Sequence, residues 1–278
     1  GDEVTGTDRT QGLDILDPDG LRELFGRCRP EVVYHLAGQA DVGGSWTSPV
    51  ATFRTNAEGT MNVLLAAAEL GVHRVLAVAS ADVYGRVPED ELPIDEDRPL
   101  RPHSPYGASK AAADLIALQA HLGHGLGVIR VRPFNHLGPG QSDRFVAPAL
   151  ARRIAHNEVD GGDEVPVGNL TARRDFTDVR DVVRAYRLLA ERGAPGEAYN
   201  VCSGQDVAIQ ELADRLVALA GRPMTLVPDP ELLRPVDTPA LRGDPARLQA
   251  ATGWAPEISL DQTAADVLDD WRKRVREA

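Results

Sequence analysis

Short apolar runs alternate along the chain with longer stretches in which apolar residues recur at helical spacing. The continuous runs, which are typical of buried parallel strands, lie at residues 32–38, 74–80 and 127–132. The stretches with helical spacing cover residues 18–28, 49–70 and 105–122. Gly123 is the predicted end of the last helix. This repeated strand–helix order predicts an α/β fold with a doubly wound parallel sheet.

The pattern changes after residue 133. A turn-rich stretch over residues 134–141 leads into a predicted helix from about residue 144 to residue 156. A further strand with a turn is predicted at residues 199–204. The change predicts a second, smaller α/β region in the later part of the chain.

The first residues predict a short strand, Val4-Thr5-Gly6-Thr7-Asp8, which ends in an acid. In a dinucleotide-binding fold, an acid at the end of the second strand binds the adenosine ribose. A glycine-rich turn should precede that acid by about 20 residues, and only seven residues precede Asp8. We therefore expect the first strand and its glycine turn to be missing from the chain as given. The alternative is that Asp8 has no such role.

Composition narrows the class of function. The net charge of −12, from 42 acidic and 30 basic residues, disfavours a general binder of nucleic acid or of membrane surfaces. It leaves room for an anionic small ligand in a local basic pocket. Cys28 and Cys202 form no metal or redox motif, so we expect no metal and a reducing, cytoplasmic location. No apolar run approaches the roughly 20 residues of a membrane span.

The strongest candidate chemistry is the pair Tyr106 and Lys110, four residues apart on one face of a helix capped by Ser104. A phenol beside an ammonium can transfer protons, because the positive charge is expected to lower the tyrosine pKa. The pair alone would be read as a surface tyrosine and a surface lysine. The preceding predicted strand, however, ends in a hydroxyl group at Ser80, and Val83-Tyr84-Gly85 follows it.

This combination resembles the extended short-chain dehydrogenase/reductases, the NAD-dependent epimerase/dehydratase family, over nearly the whole chain. The resemblance implies that Ser80, Tyr106 and Lys110 are the catalytic set. It also implies a Rossmann-type dinucleotide-binding domain and a nucleotide-sugar-binding domain. Their predicted ranges are residues 1–133 and 176–202 for the first, and residues 134–175 and 203–278 for the second. Family members pair two long helices with their symmetry mates, so the resemblance also implies a homodimer built on the helices near residues 49–70 and 105–122.

NAD(H) or NADP(H) is the cofactor that the resemblance implies. The implied cofactor contacts are Asp8, Arg9, Asp14, Ile15, Leu36, Ala37, Gly38, Asn56, Tyr106, Lys110 and Pro133. Asp14 is read equally well as a helix cap, and His35 is expected to be structural. Asp8 would repel a 2′-phosphate and Arg9 could bind one, which favours NAD(H) slightly, with dual use expected.

The stretch from Arg132 to Gln141 looks most like the GDP-sugar branch, and within it the reductases of GDP-4-keto-6-deoxy-D-mannose. The substrate contacts implied there are Asn135, Arg174, Arg234 and Asp237. A solvated basic face is the alternative reading of Arg173, Arg174 and Arg180. Their place beside a strand–loop–helix in an acidic protein favours anion binding.

Asp82 bears on which of the family's reactions this chain is expected to catalyse. Dehydratases of this family carry an acid, usually Glu, two places after the catalytic Ser or Thr, and Asp82 has the shorter side chain. A 4,6-dehydratase is therefore disfavoured, with Asp82 kept as a catalytic candidate, and a 4-epimerase stays open. In the favoured reaction Ser80 polarises the C4 ketone, Tyr106 protonates it, and Lys110 holds the nicotinamide ribose. The alternative from another class is a catalytically silent relative that only binds nucleotide sugars.

Overall fold

The computed structural model describes residues 3–232 and 238–277. The strands in chain order are β1 (Val32–His35), β2 (Arg74–Val78), β3 (Val128–Pro133), β4 (Asn135–Leu137), β5 (Glu164–Val167), β6 (Arg173–Asp178), β7 (Ala198–Val201), β8 (Asp206–Ala208), β9 (Thr225–Pro228) and β10 (Ala240–Leu241). The helices are α1 (Pro18–Cys28), α2 (Gly44–Thr47), α3 (Pro49–Phe53), α4 (Gly59–Glu69), α5 (Pro105–His124), α6 (Val146–Asp160), α7 (Val179–Arg192), α8 (Ile209–Ala218), α9 (Ala246–Thr252) and α10 (Leu260–Glu277). Short 3₁₀ turns include Arg9–Gln11 and Ala81–Tyr84, and the π-helical turn Arg54–Glu58 joins α3 to α4.

The central sheet is parallel and has the order β1-β2-β3-β7. A second sheet has the order β10-β6-β4, with β8 antiparallel to β6, and β5 pairs with β9. Parallel strands joined by helices confirm the predicted α/β fold class. Among the described helices, none is both long and apolar enough to cross a bilayer.

Helices cover both faces of the central sheet, and successive side chains of β2 pack on alternate faces. Val75 and Ala77 pack with helices α1, α4 and α5 in one hydrophobic cluster, whereas Leu76 packs with α7 in another. Successive strand residues point to opposite faces, so burial on both sides explains the continuous apolar run that predicted this strand. The second sheet buries its own cluster against α6, α8 and α10.

Helix α5 carries Tyr106 and Lys110 and has well-formed ends. The Ser104 side chain accepts a hydrogen bond from the backbone N–H of Gly107 at 3.0 Å, and Pro105 occupies the first helical position. The predicted end at Gly123 is wrong by two residues. The left-handed conformation that terminates the helix is taken by Gly125, with φ of 68°.

The predicted strand at residues 4–8 is wrong. These residues form no strand, and Val4 is 85% exposed. A strand needs a neighbour for its backbone N–H and C=O groups, and residues 4–8 pair with no described strand. Asp8 instead caps the turn Arg9–Gln11, accepting hydrogen bonds from the N–H groups of Thr10 and Gln11.

The division into two domains stays a prediction. Residues 173–178 form one strand across the boundary placed between residues 175 and 176. Leu248 and Trp254, which the prediction assigns to the second domain, pack in the cluster that contains Ile129 of the central sheet.

Gly85, directly after the turn Ala81–Tyr84, gives a stability prediction. Its φ of 69° and ψ of −143° lie in a region that only glycine populates readily, and a Cβ there would overlap the carbonyl oxygen of Arg101. We expect Gly85→Ala to lower the free energy of unfolding by more than about 2 kcal/mol, measured by urea denaturation. The matched control is Gly125→Ala, whose φ is similar but whose Cβ would meet open space; it should cost only about 1 kcal/mol. Equal losses in the two variants would contradict the collision at residue 85.

Candidate active site

The three predicted catalytic residues meet at the carboxyl end of the central sheet. Ser80 follows β2, and Tyr106 and Lys110 lie in the first turns of α5, which packs against that strand. Each of the three is 7% exposed. The structure therefore brings together residues that the sequence separates by up to 30 positions.

The Ser80 hydroxyl is the centre of the hydrogen bonding in this site. Ser80 Oγ donates to Asp82 Oδ2 at 3.0 Å and accepts from the Asp82 backbone N–H at 3.2 Å. The Tyr106 phenol lies close enough to Ser80 for the Ser80 hydroxyl to lower its pKa. Ser80 therefore interacts with both the Asp82 carboxylate and the Tyr106 phenol.

The pKa of Tyr106 is raised in this structure, chiefly by burial and then by the negative charge of Asp82, while the hydrogen bond with Ser80 lowers it. The expected lowering by Lys110 is therefore wrong here. Desolvation disfavours the phenolate, and the Lys110 ammonium is directed to the carbonyl oxygen of Val78. The phenol is consequently protonated at neutral pH, as a proton donor must be.

Lys110 is a buried ammonium with hydrogen-bonding capacity left over. Its Nζ donates to the Val78 carbonyl oxygen at 3.0 Å, and burial lowers its pKa to about 8. An ammonium carries three N–H donors, and within the described part of the chain one of them has a hydrogen-bond acceptor. The remaining donors suit the hydroxyl groups of a bound ribose.

Asn56 connects the loop after β1 to helix α5. Its Oδ1 accepts from the Gln39 N–H at 2.8 Å, and its Nδ2 donates to Ser109 Oγ at 2.8 Å. Ser109 Oγ in turn donates to the Tyr106 carbonyl oxygen at 2.7 Å. From the other side, Ser45 Oγ accepts from the Tyr106 N–H at 3.2 Å. Sequence reasoning missed Ser45 and Ser109, because a serine in a loop or in a helix carries no signal of such a partner.

His35 has the structural role expected of it. Its Nε2 lies 2.9 Å from Thr60 Oγ1, and Thr60 Oγ1 donates to the Asn56 carbonyl oxygen. Burial, followed by the charge of Lys110, lowers the His35 pKa to about 3. The ring is therefore neutral at any pH near 7 and supports the π-helical turn that holds Asn56.

The loop after β1 is exposed and comes close to Lys110. Leu36, Ala37 and Gly38 are exposed at the carboxyl end of β1. A Cβ on Gly38 would lie 2.9 Å from Asn56 Oδ1 and 3.3 Å from Lys110 Nζ, so glycine keeps the approach to both polar groups open. The residues present thus fit the nicotinamide ribose of NAD(H) or NADP(H).

The other residues predicted to bind the cofactor make no hydrogen bond with Lys110 within the described residues. Arg9 Nε is 3.3 Å from Asp14 Oδ2, close to the Asp8 turn on an exposed surface. Ile15 is buried in the hydrophobic cluster with α4. Pro133 is buried at the end of β3. The cofactor roles of these residues stay predictions.

The alternative reading of Asp14 as a helix cap is wrong. Asp17 caps α1, accepting from the N–H groups of Asp19 and Gly20, whereas Asp14 accepts from the Leu16 N–H at 2.9 Å.

The residues predicted to bind the substrate are only partly assembled. Asn135 is exposed in β4, next to Phe176 of β6. Arg174 Nη1 donates to the Thr238 carbonyl oxygen at 2.7 Å, so it lies at the edge of the segment 233–237. Arg234 and Asp237 belong to that segment and lie outside the described residues. No group of three metal-ligating side chains occurs in the described ranges 3–232 and 238–277.

Arg173 and Arg180 match the solvated-face reading. Arg173 Nε lies 2.6 Å from Asp206 Oδ2, and Arg180 Nη2 lies 2.6 Å from Asp266 Oδ2 and 2.8 Å from Asp178 Oδ2. Carboxylates therefore already compensate both charges.

Three comparisons, with protein-family models, with known sequences and with solved structures, point to related proteins. The model of the family GDP-mannose 4,6 dehydratase matches residues 6–267. The chain is 42% identical over 266 residues to GDP-6-deoxy-D-mannose reductase from Pseudomonas aeruginosa, covering 95% of this chain and 87% of that protein. A structure of RMD from Pseudomonas aeruginosa complexed with NADPH matches with a TM-score of 0.88 and 41% identity over 94% of this chain and 87% of that one. UDP-glucose 4-epimerase from Thermus thermophilus in complex with NAD matches with a TM-score of 0.84 and 29% identity over 94% and 83%.

Because the Lys110 ammonium is buried, we expect it to lower the free energy of unfolding of the protein. We expect Lys110→Met to raise the free energy of unfolding near pH 7 by about 2 kcal/mol, because a charged group that burial disfavours is removed. Folding lowers the Lys110 pKa from 10.5 to about 8, so between these values the unfolded chain binds the proton more tightly. Wild-type stability should therefore rise with pH through this window, and the advantage of the variant should shrink. Urea denaturation at pH 7 and at pH 10 measures this. The control Lys273→Met, which removes an exposed lysine, should give no gain; a loss of stability in Lys110→Met at both pH values would refute the prediction.

Proposed function

The chain belongs to the GDP-mannose 4,6-dehydratase family of extended short-chain dehydrogenase/reductases, and on that premise we propose that it reduces the C4 ketone of GDP-4-keto-6-deoxy-D-mannose to a GDP-6-deoxyhexose. The observation that carries the proposal is the buried, protonated Tyr106 phenol beside Ser80. A ketone reduction requires a proton donor at the developing alkoxide. The 42% identity to GDP-6-deoxy-D-mannose reductase supports this substrate over UDP- or dTDP-linked sugars.

The cofactor is a nicotinamide dinucleotide, as in the complexes of related proteins with NADPH and NAD. When bound, it supplies the hydride that reduces C4. Lys110 and Asn56 are the side chains that would hold its ribose. The absence of a side chain at Gly38 leaves the approach to both of them open. Asp8, which would repel a 2′-phosphate, and Arg9, which could bind one, are still the residues predicted to decide between NAD(H) and NADP(H).

The chain's own residues handle the proton. Ser80 turns its hydroxyl hydrogen to the C4 oxygen and fixes the ketone. Tyr106 then gives its phenolic proton to that oxygen as negative charge develops, leaving a phenolate. Burial of both side chains excludes water and strengthens these hydrogen bonds. Lys110, held at 3.0 Å from the Val78 carbonyl oxygen, keeps its charge close to this end of the sheet.

Dehydration is the second candidate, because the matching family model is that of a dehydratase and Asp82 keeps a carboxylate. Asp82 Oδ2 accepts the Ser80 hydrogen at 3.0 Å, which directs that carboxylate to Ser80. This geometry supports reduction over elimination. A 4-epimerase and a silent binding relative are separated from the reductase by the assay below.

The reaction is tested with purified protein, GDP-4-keto-6-deoxy-D-mannose and either NADH or NADPH. We expect reduced cofactor to be consumed only with the keto sugar, and Tyr106→Phe to lower kcat by about 10²–10⁴-fold. Binding of the nucleotide sugar, measured by calorimetry, should be nearly unchanged, since the ring stays in place. Conversion of GDP-mannose to a keto sugar without net cofactor use would identify a dehydratase. Interconversion of UDP-glucose and UDP-galactose would identify an epimerase, and binding without any turnover would identify the silent relative.

We further propose a cytoplasmic homodimer. The two cysteines are unpaired, as in a reducing compartment. Large apolar side chains are exposed on neighbouring helices, namely Trp46, Val50, Phe53, Leu65, Leu115 and Leu122. Helices α2, α3 and α4 each pack against α5, and we propose that a second copy covers the exposed side chains of these neighbouring helices.

Light scattering at micromolar concentration tests the homodimer. We expect the wild type to have twice the mass of one chain and Val50→Glu to shift it towards the monomer, because a buried charge opposes association. The control is Val183→Glu on α7. It changes a valine that is 60% exposed, compared with 72% for Val50, away from this helix pair. A monomeric wild type, or equal effects of the two variants, would reject the proposed face.

A further inference from the structure

A buried network of charged and polar side chains lies behind the candidate active site. Its members, which come from five parts of the chain, are Tyr84, Glu96, Asp114, Arg130, Arg132 and Asn200. The reaction described above uses none of them. The hydrogen bonds that join these side chains are between 2.7 and 3.1 Å long.

The first contact anchors the catalytic helix. Asp114 lies one turn beyond Lys110 in α5, and its side chain is 0% exposed. Arg132 binds it with two nitrogens, Nε to Oδ1 at 3.1 Å and Nη2 to Oδ2 at 2.9 Å. Arg130 Nη1 donates to Oδ2 at 2.7 Å. A two-point guanidinium–carboxylate contact fixes orientation as well as distance, so α5 is held in one position against β3.

The second contact anchors the Ser80 turn. Arg132 Nη1 donates to Tyr84 Oη at 3.0 Å, and Tyr84 Oη donates to Asn200 Oδ1 at 2.7 Å. Tyr84 is the last residue of the 3₁₀ turn Ala81–Tyr84, which Ser80 caps. One guanidinium therefore binds both the helix that carries Tyr106 and the turn that carries Ser80.

The third contact closes the network on the long loop. Asn200 N–H donates to Glu96 Oε1 at 2.7 Å, and Arg132 Nη1 donates to the Glu96 carbonyl oxygen at 2.9 Å. Asp114 forms ion pairs with Arg130 and Arg132, and Glu96 forms one with Arg247 at 3.4 Å. Buried ion pairs of this kind contribute little net stability, since desolvation offsets their attraction, and a fixed geometry is what they can provide.

The turn and the helix also approach each other at the site itself. A Cβ on Gly107 would lie 2.8 Å from the Asp82 carbonyl oxygen, so the backbones meet closely there. Turn and helix are thus fixed at two places, at Gly107 near the reacting groups and through Arg132 behind them.

We propose that Tyr84 is a positioning residue, which acts through Arg132 and Asp114 to hold the Ser80 hydroxyl at its working distance from the Tyr106 phenol. This inference rests on the proposed reductase function. Ser80 and Tyr106 must reach the same substrate oxygen, and small displacements of reacting groups are costly in rate. The Tyr84 hydroxyl sets that alignment without contacting the substrate.

Tyr84→Phe tests the proposal, because it removes the hydroxyl and keeps the ring beside Phe134, whose centroid lies 6.5 Å away. The matched control is Tyr199→Phe in β7. Tyr199 is also buried, and its hydroxyl accepts from the Ala194 N–H at 2.9 Å, away from the site. Both variants lose one buried hydroxyl, so a general effect on stability should be shared.

We expect Tyr84→Phe to lower kcat by about 10- to 100-fold, with the KM for the nucleotide sugar and the thermal midpoint close to those of Tyr199→Phe. The primary isotope effect on kcat with deuterated reduced cofactor should rise, because the transfer step becomes more rate-limiting. Independently of activity, hydrogen exchange of the Val83 and Gly85 amides, which bond to Ser80 and Asp82 carbonyls at 3.2 Å, should become faster by about 10-fold.

The readouts separate the two proposals. A kcat equal to that of the control overturns the positioning role, even if the turn exchanges faster. A lower kcat without faster exchange also overturns it, because the hydroxyl would then act by another route. If the wild type reduces no keto sugar, the reductase assignment fails, and unchanged exchange in Tyr84→Phe would still refute the hold on the Ser80 turn.

Discussion

The site depends on the way the first turn of α5 is fixed to the rest of the molecule. The first N–H groups of any helix lack partners within the helix, and here serine side chains satisfy two of them. Ser104 binds the N–H of Gly107, and Ser45 binds the N–H of Tyr106 from a separate short helix. Ser109 holds the Tyr106 carbonyl oxygen and links it to Asn56. The backbone of Tyr106 is therefore hydrogen-bonded on both its N–H and its C=O side.

The same region contains three buried titratable side chains. Tyr106, Lys110 and His35 are all buried, and burial shifts the pKa of each towards its neutral form. Folding therefore disfavours the charged form of Lys110. The hydrophobic clusters on both faces of the sheet supply the stability that makes this possible.

The regular elements of the fold could be predicted from the sequence, because their signals are local. Helix α1 occupies the predicted residues 18–28, with Asp17 and Pro18 at its start. The apolar runs placed β1, β2 and β3. Ser80, Tyr106 and Lys110 could be predicted to lie together because the family resemblance joined a strand end to a helix start.

The rest could not be predicted because it depends on partners distant in sequence. Residues 4–8 look like a strand, but the described chain offers them no neighbour to pair with. The pKa of Tyr106 depends on burial and on Asp82, neither of which is visible in the spacing of Tyr106 and Lys110. The role of Tyr84 requires Arg132, 48 positions away.

The arrangement around Ser80 has a consequence for the order of events in a catalytic cycle. A hydroxyl group is a rotor with one hydrogen, and in this structure that hydrogen faces Asp82. A ketone oxygen can only accept, so it must compete with a carboxylate for the hydrogen before it is polarised. The alcohol formed from it can donate as well, and it no longer needs that hydrogen. Rotation of one side chain about one bond can therefore distinguish the entering compound from the leaving one, with no movement of the backbone.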